Sequence, residues 1–293
     1  MLGCTTMCYR KLDLSLDRSI KIFGEFTLER ALCGISRAGF KFVELASMPG
    51  MCHHVMPEQM SEKDFARLEL LLGEYGLKPM SLSGHVNIVD QDPKRERKAI
   101  ELLKKRIELA ARLDARIVNT RTTDPVGTHS KKEIERFYDN IKGIVDYCRD
   151  NNVVVAIEND GGLTVTADKA LEVMKRIDSE YMRINYDTGT FMFLYGLQPA
   201  QDLEKMMKYV AHMHVKDQTG GKRAYNFPAI GDGDINFQTI FEIVKKHGFK
   251  GPFSVETGFG KGDRTTSGVE SAEEIDQILQ KSYNYLRRYR WLF

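Results

Sequence analysis

The sequence predicts one domain over residues 1–293, of the α/β class and built as a closed (β/α)8 barrel. Three observations predict it. Short apolar runs rich in β-branched residues alternate along the whole chain with longer segments of 3.6-residue periodicity, and the runs number eight. Strands joined by crossover helices must be parallel, and near-continuous apolar runs suit a sheet covered on both faces. Polar residues recur at the C-terminal ends of the runs, where a barrel gathers its site. An open doubly wound sheet would concentrate them at one switch point, and no G-x-G-x-x-G follows Tyr9.

The first strand is read at residues 3–9. Thr27, with Arg30 and Ala31 behind it, starts a helix that Gly39 ends, and the second strand follows at 40–45. Ser61 and Asp64 have the Ser-x-x-Asp form of a capping box ahead of Phe65, Leu68, Leu71 and Leu72. The third strand occupies 78–82, Pro93 opens a long helix to Leu113, and the fourth strand is 116–119. Ser130 and Glu133 cap the next helix before strand five at 153–158; helix 166–177 leads to strand six at 182–186. Helix 202–207, strand 210–215, helix 237–247, strand 251–256 and a last helix at 270–286 complete the alternation. No low-complexity linker or composition break marks a second domain.

Composition excludes more than it identifies. The 43 Lys and Arg residues against 41 Asp and Glu leave a formal net charge of +2, too balanced for a general polyanion field, so no nucleic-acid partner is expected. Apolar runs such as 153–157 fall far short of the roughly 18 residues a membrane span needs. The start of the chain shows neither a basic n-region nor a long apolar h-region, which leads to the expectation of a cytoplasmic protein. Five scattered cysteines, Cys4, Cys8, Cys33, Cys52 and Cys148, include no C-x-x-C and read as buried free thiols.

Glu44, His85, Asn119, Glu158, Asn159, Asp187, His214, Lys216, Asp217 and Glu256 all lie at or just past strand C-termini. The last four strands supply Glu158, Asp187, His214 and Glu256. Three carboxylates and one imidazole make a hard donor set suited to one divalent cation, with Mn²⁺ first and Mg²⁺, Co²⁺ or Zn²⁺ as alternatives. Without a cation, three packed carboxylates would raise one another's pKa. Each residue also has a bland reading: a lone strand-end Glu often serves a helix N-terminus, and Asp187 before Thr-Gly-Thr suits turn chemistry. Four such residues ending four consecutive apolar runs (VVVAIE, RINYD, HMH, FSVE) favour the metal site. His212, two residues before His214, is assigned to the opposite strand end or face and to a structural role.

These motifs, IEN at Glu158, NYDTG at Asp187, HMHVKD around His214, and IGDGDINF followed by GPFSVE at Glu256, resemble the sugar isomerase/epimerase superfamily, the xylose isomerase-like TIM barrels. The resemblance runs from FKFVEL at Phe40 to the final helix. It implies that Glu158, Asp187, His214 and Glu256 hold the metal and that Gly231-Asp232-Gly233 turns the chain into the seventh helix. It further implies a small-molecule carbohydrate substrate, a ketose or polyol-derived keto-sugar, isomerised or epimerised through a metal-stabilised enediolate. In the ketose epimerases of this superfamily two Glu ligands double as acid and base; here they would be Glu158 and Glu256. Lys216 and His85 are further catalytic candidates, with an ion pair to Asp217 or Glu256 as the alternative for Lys216.

The sequence also departs from the ketose 3-epimerases. Thr190 stands where a His commonly follows the Asp ligand, and Asp217-Gln218-Thr219-Gly220 lacks a substrate-gripping Arg, for which Lys222 and Arg223 are the nearest substitutes. The HVKD motif is shared with inosose dehydratase-like lyases, so β-elimination of water is the alternative reaction. An endonuclease IV-like hydrolase is a remote one, because Thr190 and Tyr225-Asn226-Phe227 stand where those enzymes carry further ligands. The basic stretch 94–106 reads as a solvated outer helix, and the loop with His53 and His54 as a lid or substrate contact. The aromatic-basic tail from Tyr283 to Trp291 reads as packing on the barrel exterior or a homo-oligomer interface.

Overall fold

The computed structural model describes residues 1–13, 21–122, 130–257 and 271–293. Eight parallel strands close into a barrel: β1 (Leu2–Thr5), β4 (Phe42–Ala46), β5 (Lys78–Ser83), β6 (Ile117–Thr120), β7 (Val154–Glu158), β8 (Met182–Asp187), β9 (Val210–Val215) and β10 (Phe253–Val255). Each pairs with its neighbour in sequence, and β1 pairs with both β4 and β10. A two-stranded antiparallel ribbon, β2 (Arg10–Asp13) with β3 (Lys21–Glu25), follows β1. The fold is a single-domain (β/α)8 barrel, as the alternation predicts.

The helical ring comprises α1 (Leu28–Ala38), α2 (Glu62–Glu74), α3 (Pro93–Arg112), α4 (Lys131–Asn151), α5 (Ala167–Ile177), α7 (Ala200–Met206), α8 (Phe237–Lys246) and α9 (Ala272–Leu286), with α6 (Thr188–Tyr195) added directly behind β8. Local chemistry sets their ends. Thr27, Asp92 and Thr166 each accept a hydrogen bond from a backbone N–H of the first turn, and full capping boxes form at Ser61/Asp64, Ser130/Glu133 and Ser271/Glu274. Gly39, at φ 105°, closes α1 in the left-handed conformation that favours glycine.

Several boundaries differ from the sequence reading, each for a physical reason. The first strand stops at Thr5, whose hydroxyl accepts from Met7 N and turns residues 6–8 into a 3-10 helix. The last strand covers only Phe253–Val255. The final helix begins at Ala272 behind its Ser271 cap, and Glu270, where it was expected to begin, lies outside the described residues. α6 has no separate apolar stripe and is hidden from a periodicity search. The 94–106 stretch is not wholly solvated. Arg106 is fully buried, donating to Glu58 at 2.8 Å and to the Ser47 carbonyl at 3.0 Å, so it ties α3 to the loop after β4.

Tail aromatics pack on the barrel exterior: Tyr283 meets Phe40, Tyr289 meets Phe241, and Phe293 reaches Phe253 of β10. Four cysteines are buried and Cys33 is half-buried, all as free thiols, with Cys4 and Cys8 Sγ 3.8 Å apart. Among the described residues no helix is long and apolar enough to cross a membrane.

α1 and α9 are clamped to the barrel by Asp276, which takes two hydrogen bonds from Arg30 and one from the fully buried Tyr9 hydroxyl. Gly34 is required there, because a Cβ at that position would lie 1.7 Å from the Tyr9 hydroxyl. Gly34→Ala is expected to lower stability by about 1–3 kcal/mol through overpacking. A fall in the denaturant midpoint checks this, and adding Tyr9→Phe should return part of the loss.

Candidate metal centre and active site

Four of the strand-end residues converge as the sequence predicts. Glu158 of β7, Asp187 of β8, His214 of β9 and Glu256 just past β10 are buried and present donor atoms that all lie within 4.8 Å of one another. His214 Nδ1 is 3.1 Å from Glu256 Oε2 and 3.6 Å from Glu158 Oε2. Lys216 Nζ lies 2.5 Å from Glu256 Oε1 and 3.4 Å from Asp187 Oδ2, resolving its ion pair in favour of Glu256 rather than Asp217.

The set fits a divalent cation. Its oxygens and imidazole nitrogen face one another, and Glu256 Oε2 is buried without a hydrogen-bond partner among the described residues, which is costly unless a cation completes it. Burial pushes Asp187 up to about 6 despite Lys216 beside it, with Glu256 and Glu158 adding to the rise. Burial also opposes charge on Glu158, yet His214 and His85 hold its carboxyl well below the ordinary value. His214 itself, against its burial, is raised by Glu44, Glu256 and Glu158.

A second polar layer lies directly beneath. Glu44 of β4 is fully buried, and burial opposes its charge, but its contacts with His214, His212 and Ser83 keep it ionised far below the usual carboxylate range. One oxygen accepts from Ser83 and lies 2.9 Å from His214 Nε2. The other accepts from Ser81 at 2.8 Å and from Asn119 at 2.6 Å, with His212 Nε2 at 3.2 Å. A carboxylate facing Nε2 places a hydrogen on that nitrogen and leaves Nδ1 for a metal ion, the carboxylate–histidine–metal arrangement. Glu44, His212 and His214 also lie close enough to suggest a second metal site. Glu44's oxygens are already saturated by hydrogen bonds, so the trio is a support.

His212 corrects the sequence reading. Residues two apart on a strand share a face, so it points into the barrel one layer below His214, the two rings 5.2 Å apart and nearly perpendicular. Burial pushes it down to about 3, so it is neutral, and the structural role assigned to it stands.

The other candidates divide by task. His85, just past β5, places Nε2 2.9 Å from Glu158 Oε2. Asn159 exchanges hydrogen bonds with the backbone of Asp187, fastening β8 to the loop after β7. Asp187 serves both of its readings: Oδ1 caps α6 at Thr190 N, and Oδ2 faces the metal centre. Asp217 accepts from the N–H groups of Gly231, Gly233 and Ile235, pinning the turn into α8; a Cβ at Gly233 would lie 2.2 Å from its Oδ1.

His53 and His54 bond within and beneath their own loop, to Gly50 N and the Phe26 carbonyl, and neither joins the donor set. Lys222 and Arg223 are exposed, with Arg223 over the Phe193 ring. Ser81, Ser83 and Asn185 were missed. Their signal was present: Asn185 sits two before Asp187, and Ser81 and Ser83 are two apart in β5, so each shares an inward face.

Glu44→Gln is expected to weaken Mn²⁺ binding about 10–100-fold while the barrel remains folded, because the ring of His214 loses its orienting acceptor. Titration calorimetry with circular dichroism checks both halves. Asp187, raised to about 6, carries a proton below that pH that a metal ion must displace. Apparent Mn²⁺ affinity should therefore rise as pH increases from 5 to 7, with proton release visible as a buffer-dependent binding enthalpy.

Residues 35–288 match the family described as xylose isomerase-like TIM barrel. An L-ribulose-5-phosphate 3-epimerase from Shigella flexneri is 24% identical over 261 residues, covering 85% of this chain and 88% of that protein. Among solved structures, a D-allulose 3-epimerase from Methylomonas sp. superposes with a TM-score of 0.73 at 18% identity, over 98% of this chain and 96% of that one. A xylose isomerase-like TIM barrel protein from Mycobacterium smegmatis, solved in complex with magnesium, gives 0.67 at 19% identity over 88% and 89%. At those identities the solved structures speak for the fold alone, while the family match spans most of the chain. The chain belongs to the xylose isomerase-like TIM barrel family.

Proposed function

We propose that the protein is a divalent-metal-dependent epimerase of a ketose or related keto-sugar, and within that class a 3-epimerase, working through an enediolate. The observation that carries this reading is the pairing of Glu158 and Glu256. Both are buried, both lie against His214 Nδ1, and they come from β7 and β10, the two outer strands of the four that supply donors. Inverting a carbon centre requires one group to take a proton from one face and another to return a proton to the opposite face. Two carboxylates flanking a substrate meet that need.

A divalent cation held by Glu158, Asp187, His214 and Glu256 would polarise the substrate carbonyl and make the neighbouring C–H acidic. The hard donor set favours Mn²⁺, with Mg²⁺, Co²⁺ or Zn²⁺ as alternatives, and a structural neighbour was solved with magnesium. The protein's own groups do the rest. Glu158 and Glu256 move the proton, and the ammonium of Lys216 beside Glu256 donates to the oxygen that gains negative charge. The named relatives, 3-epimerases of L-ribulose 5-phosphate and D-allulose, support a sugar substrate.

Lys216 also favours one second reading. An ammonium 2.5 Å from a candidate base can protonate a departing β-hydroxyl, so a lyase acting on a keto-cyclitol or keto-sugar would use the same groups. The endonuclease IV-like reading has no such support. Thr190 N is engaged in capping α6, and Tyr225 packs edge-on against both Phe193 and Phe227.

Incubating the Mn²⁺-loaded protein with D-allulose, L-ribulose, L-ribulose 5-phosphate and an inosose in D₂O tests the reading. Deuterium at carbon 3 of an epimerised ketose is expected; an ultraviolet-absorbing enone selects the lyase, and no exchange with any compound overturns enediolate chemistry on these substrates. At saturating Mn²⁺, Glu158→Gln and Glu256→Gln should each lower kcat by about 10²–10⁴ with the metal still bound. Retained turnover would remove both from the acid/base role.

A further inference from the structure

We infer that Arg121 is a positioning residue that fixes His85 in the tautomer carrying its hydrogen on Nε2, with that N–H presented to the oxygens of the metal centre. Arg121 directly follows β6 and His85 follows β5, so the two adjacent strands bring them together. Arg121 Nη2 lies 3.2 Å from His85 Nδ1 and 3.0 Å from Asp160 Oδ2. A guanidinium has donors only. At that distance His85 Nδ1 is therefore the acceptor, and the ring's hydrogen belongs on Nε2.

The pair with Asp160 holds the guanidinium in place. Its side chain is 19% exposed and that of Asp160 14%, so the ion pair is shielded, and Nη2, which carries two hydrogens, meets both the carboxylate and the ring. Nε2 of His85 lies 2.9 Å from Glu158 Oε2, but out of line for a hydrogen bond. The N–H is thus close to a metal-centre carboxylate without being committed to it, and a substrate oxygen on Glu158's side can receive it. Arg121 makes His85 a donor to developing negative charge and bars it from acting as a base through Nδ1. The donor's target rests on the epimerase reading of the site, whereas the tautomer does not.

The test is nitrogen-15 NMR of protein labelled at histidine, metal-free and with Mg²⁺, a diamagnetic ion, and with no substrate present. The His85 signals are identified by their loss in His85→Gln. Expected is an unprotonated Nδ1 and a protonated Nε2 in the wild type, the same pattern in Arg121→Lys, and a shift of the Nδ1 resonance toward the protonated region in Arg121→Met. Arg121→Leu, which also offers no donor to Nδ1, should give the same shift if circular dichroism finds the Met variant unfolded. A wild-type ring protonated on Nδ1 overturns the inference, as does an unchanged tautomer in a folded Met or Leu variant. Because no substrate enters the experiment, its failure is separate from failure of the epimerase reading.

Discussion

The interaction on which the rest of the site depends is the buried bond between Glu44 and His214. A carboxylate with no exposure survives inside a protein only when hydrogen bonds replace its water, and Ser81, Ser83, Asn119 and two imidazoles do that here. Once Glu44 is fixed, Nε2 of His214 has one orientation and Nδ1 another, and the direction of the metal ligand follows. The barrel interior below the mouth is thus a polar scaffold rather than another apolar layer. Its cohesion comes from outside the barrel, where the strands' outward apolar residues meet the helices.

Above that scaffold the main question is charge. Glu158, Asp187 and Glu256 approach one another as buried groups, and among the described residues His214, Lys216 and His85 lie against them and offset their repulsion. Lys216 is fit for this because burial, which would ordinarily strip its proton, is outweighed by Asp187 and Glu256, and its Nζ rests 4.8 Å from the centre of the Phe227 ring. The chain therefore carries an internal cation among the oxygens that would hold a metal ion. The same oxygens cannot serve both fully, so a divalent cation bound there would loosen the hold of Asp187 and Glu256 on the ammonium.

Much of this was legible in the sequence, and the failures are instructive. Eight alternations and charged residues at the same end of run after run were enough for the barrel and for the convergence of the four candidate donors, because strand direction decides which end of a run faces the mouth. Glu44 was visible as a strand-end residue, but its role was not: its partners come from β5, β6 and β9, and no local pattern announces a network assembled across the barrel. The misassignment of His212 came from applying the period of two in the wrong direction; read correctly, it pairs with His214 as Asn185 pairs with Asp187. Arg106 was lost for another reason. Its neighbours in α3 are solvated, and its burial is decided by Glu58 and Ser47, some fifty residues earlier. α6 escaped because a short helix started by a functional aspartate looks like a turn.

The register of the strands explains why four residues with unequal offsets reach one point. Asp187 is level with His214 across β8 and β9, and Glu158 is level with Asn185, two residues short of Asp187. On the other side Ser254, not Glu256, is level with His214, so Glu256 stands two residues further along. The donors climb by two residues from β7 to β8 and by two more from β9 to β10, and in a flat sheet they would spread along a diagonal. Strand tilt in a closed barrel converts that diagonal into a ring around the axis. Each step is an even number of residues, which keeps every donor on the inward face. A slip of one residue in any of these pairings would turn a ligand out toward the helices and bring an apolar side chain into the mouth. The hydrophobic packing that holds register therefore also holds the four donors together, and the candidate metal centre is as well specified as the core that surrounds it.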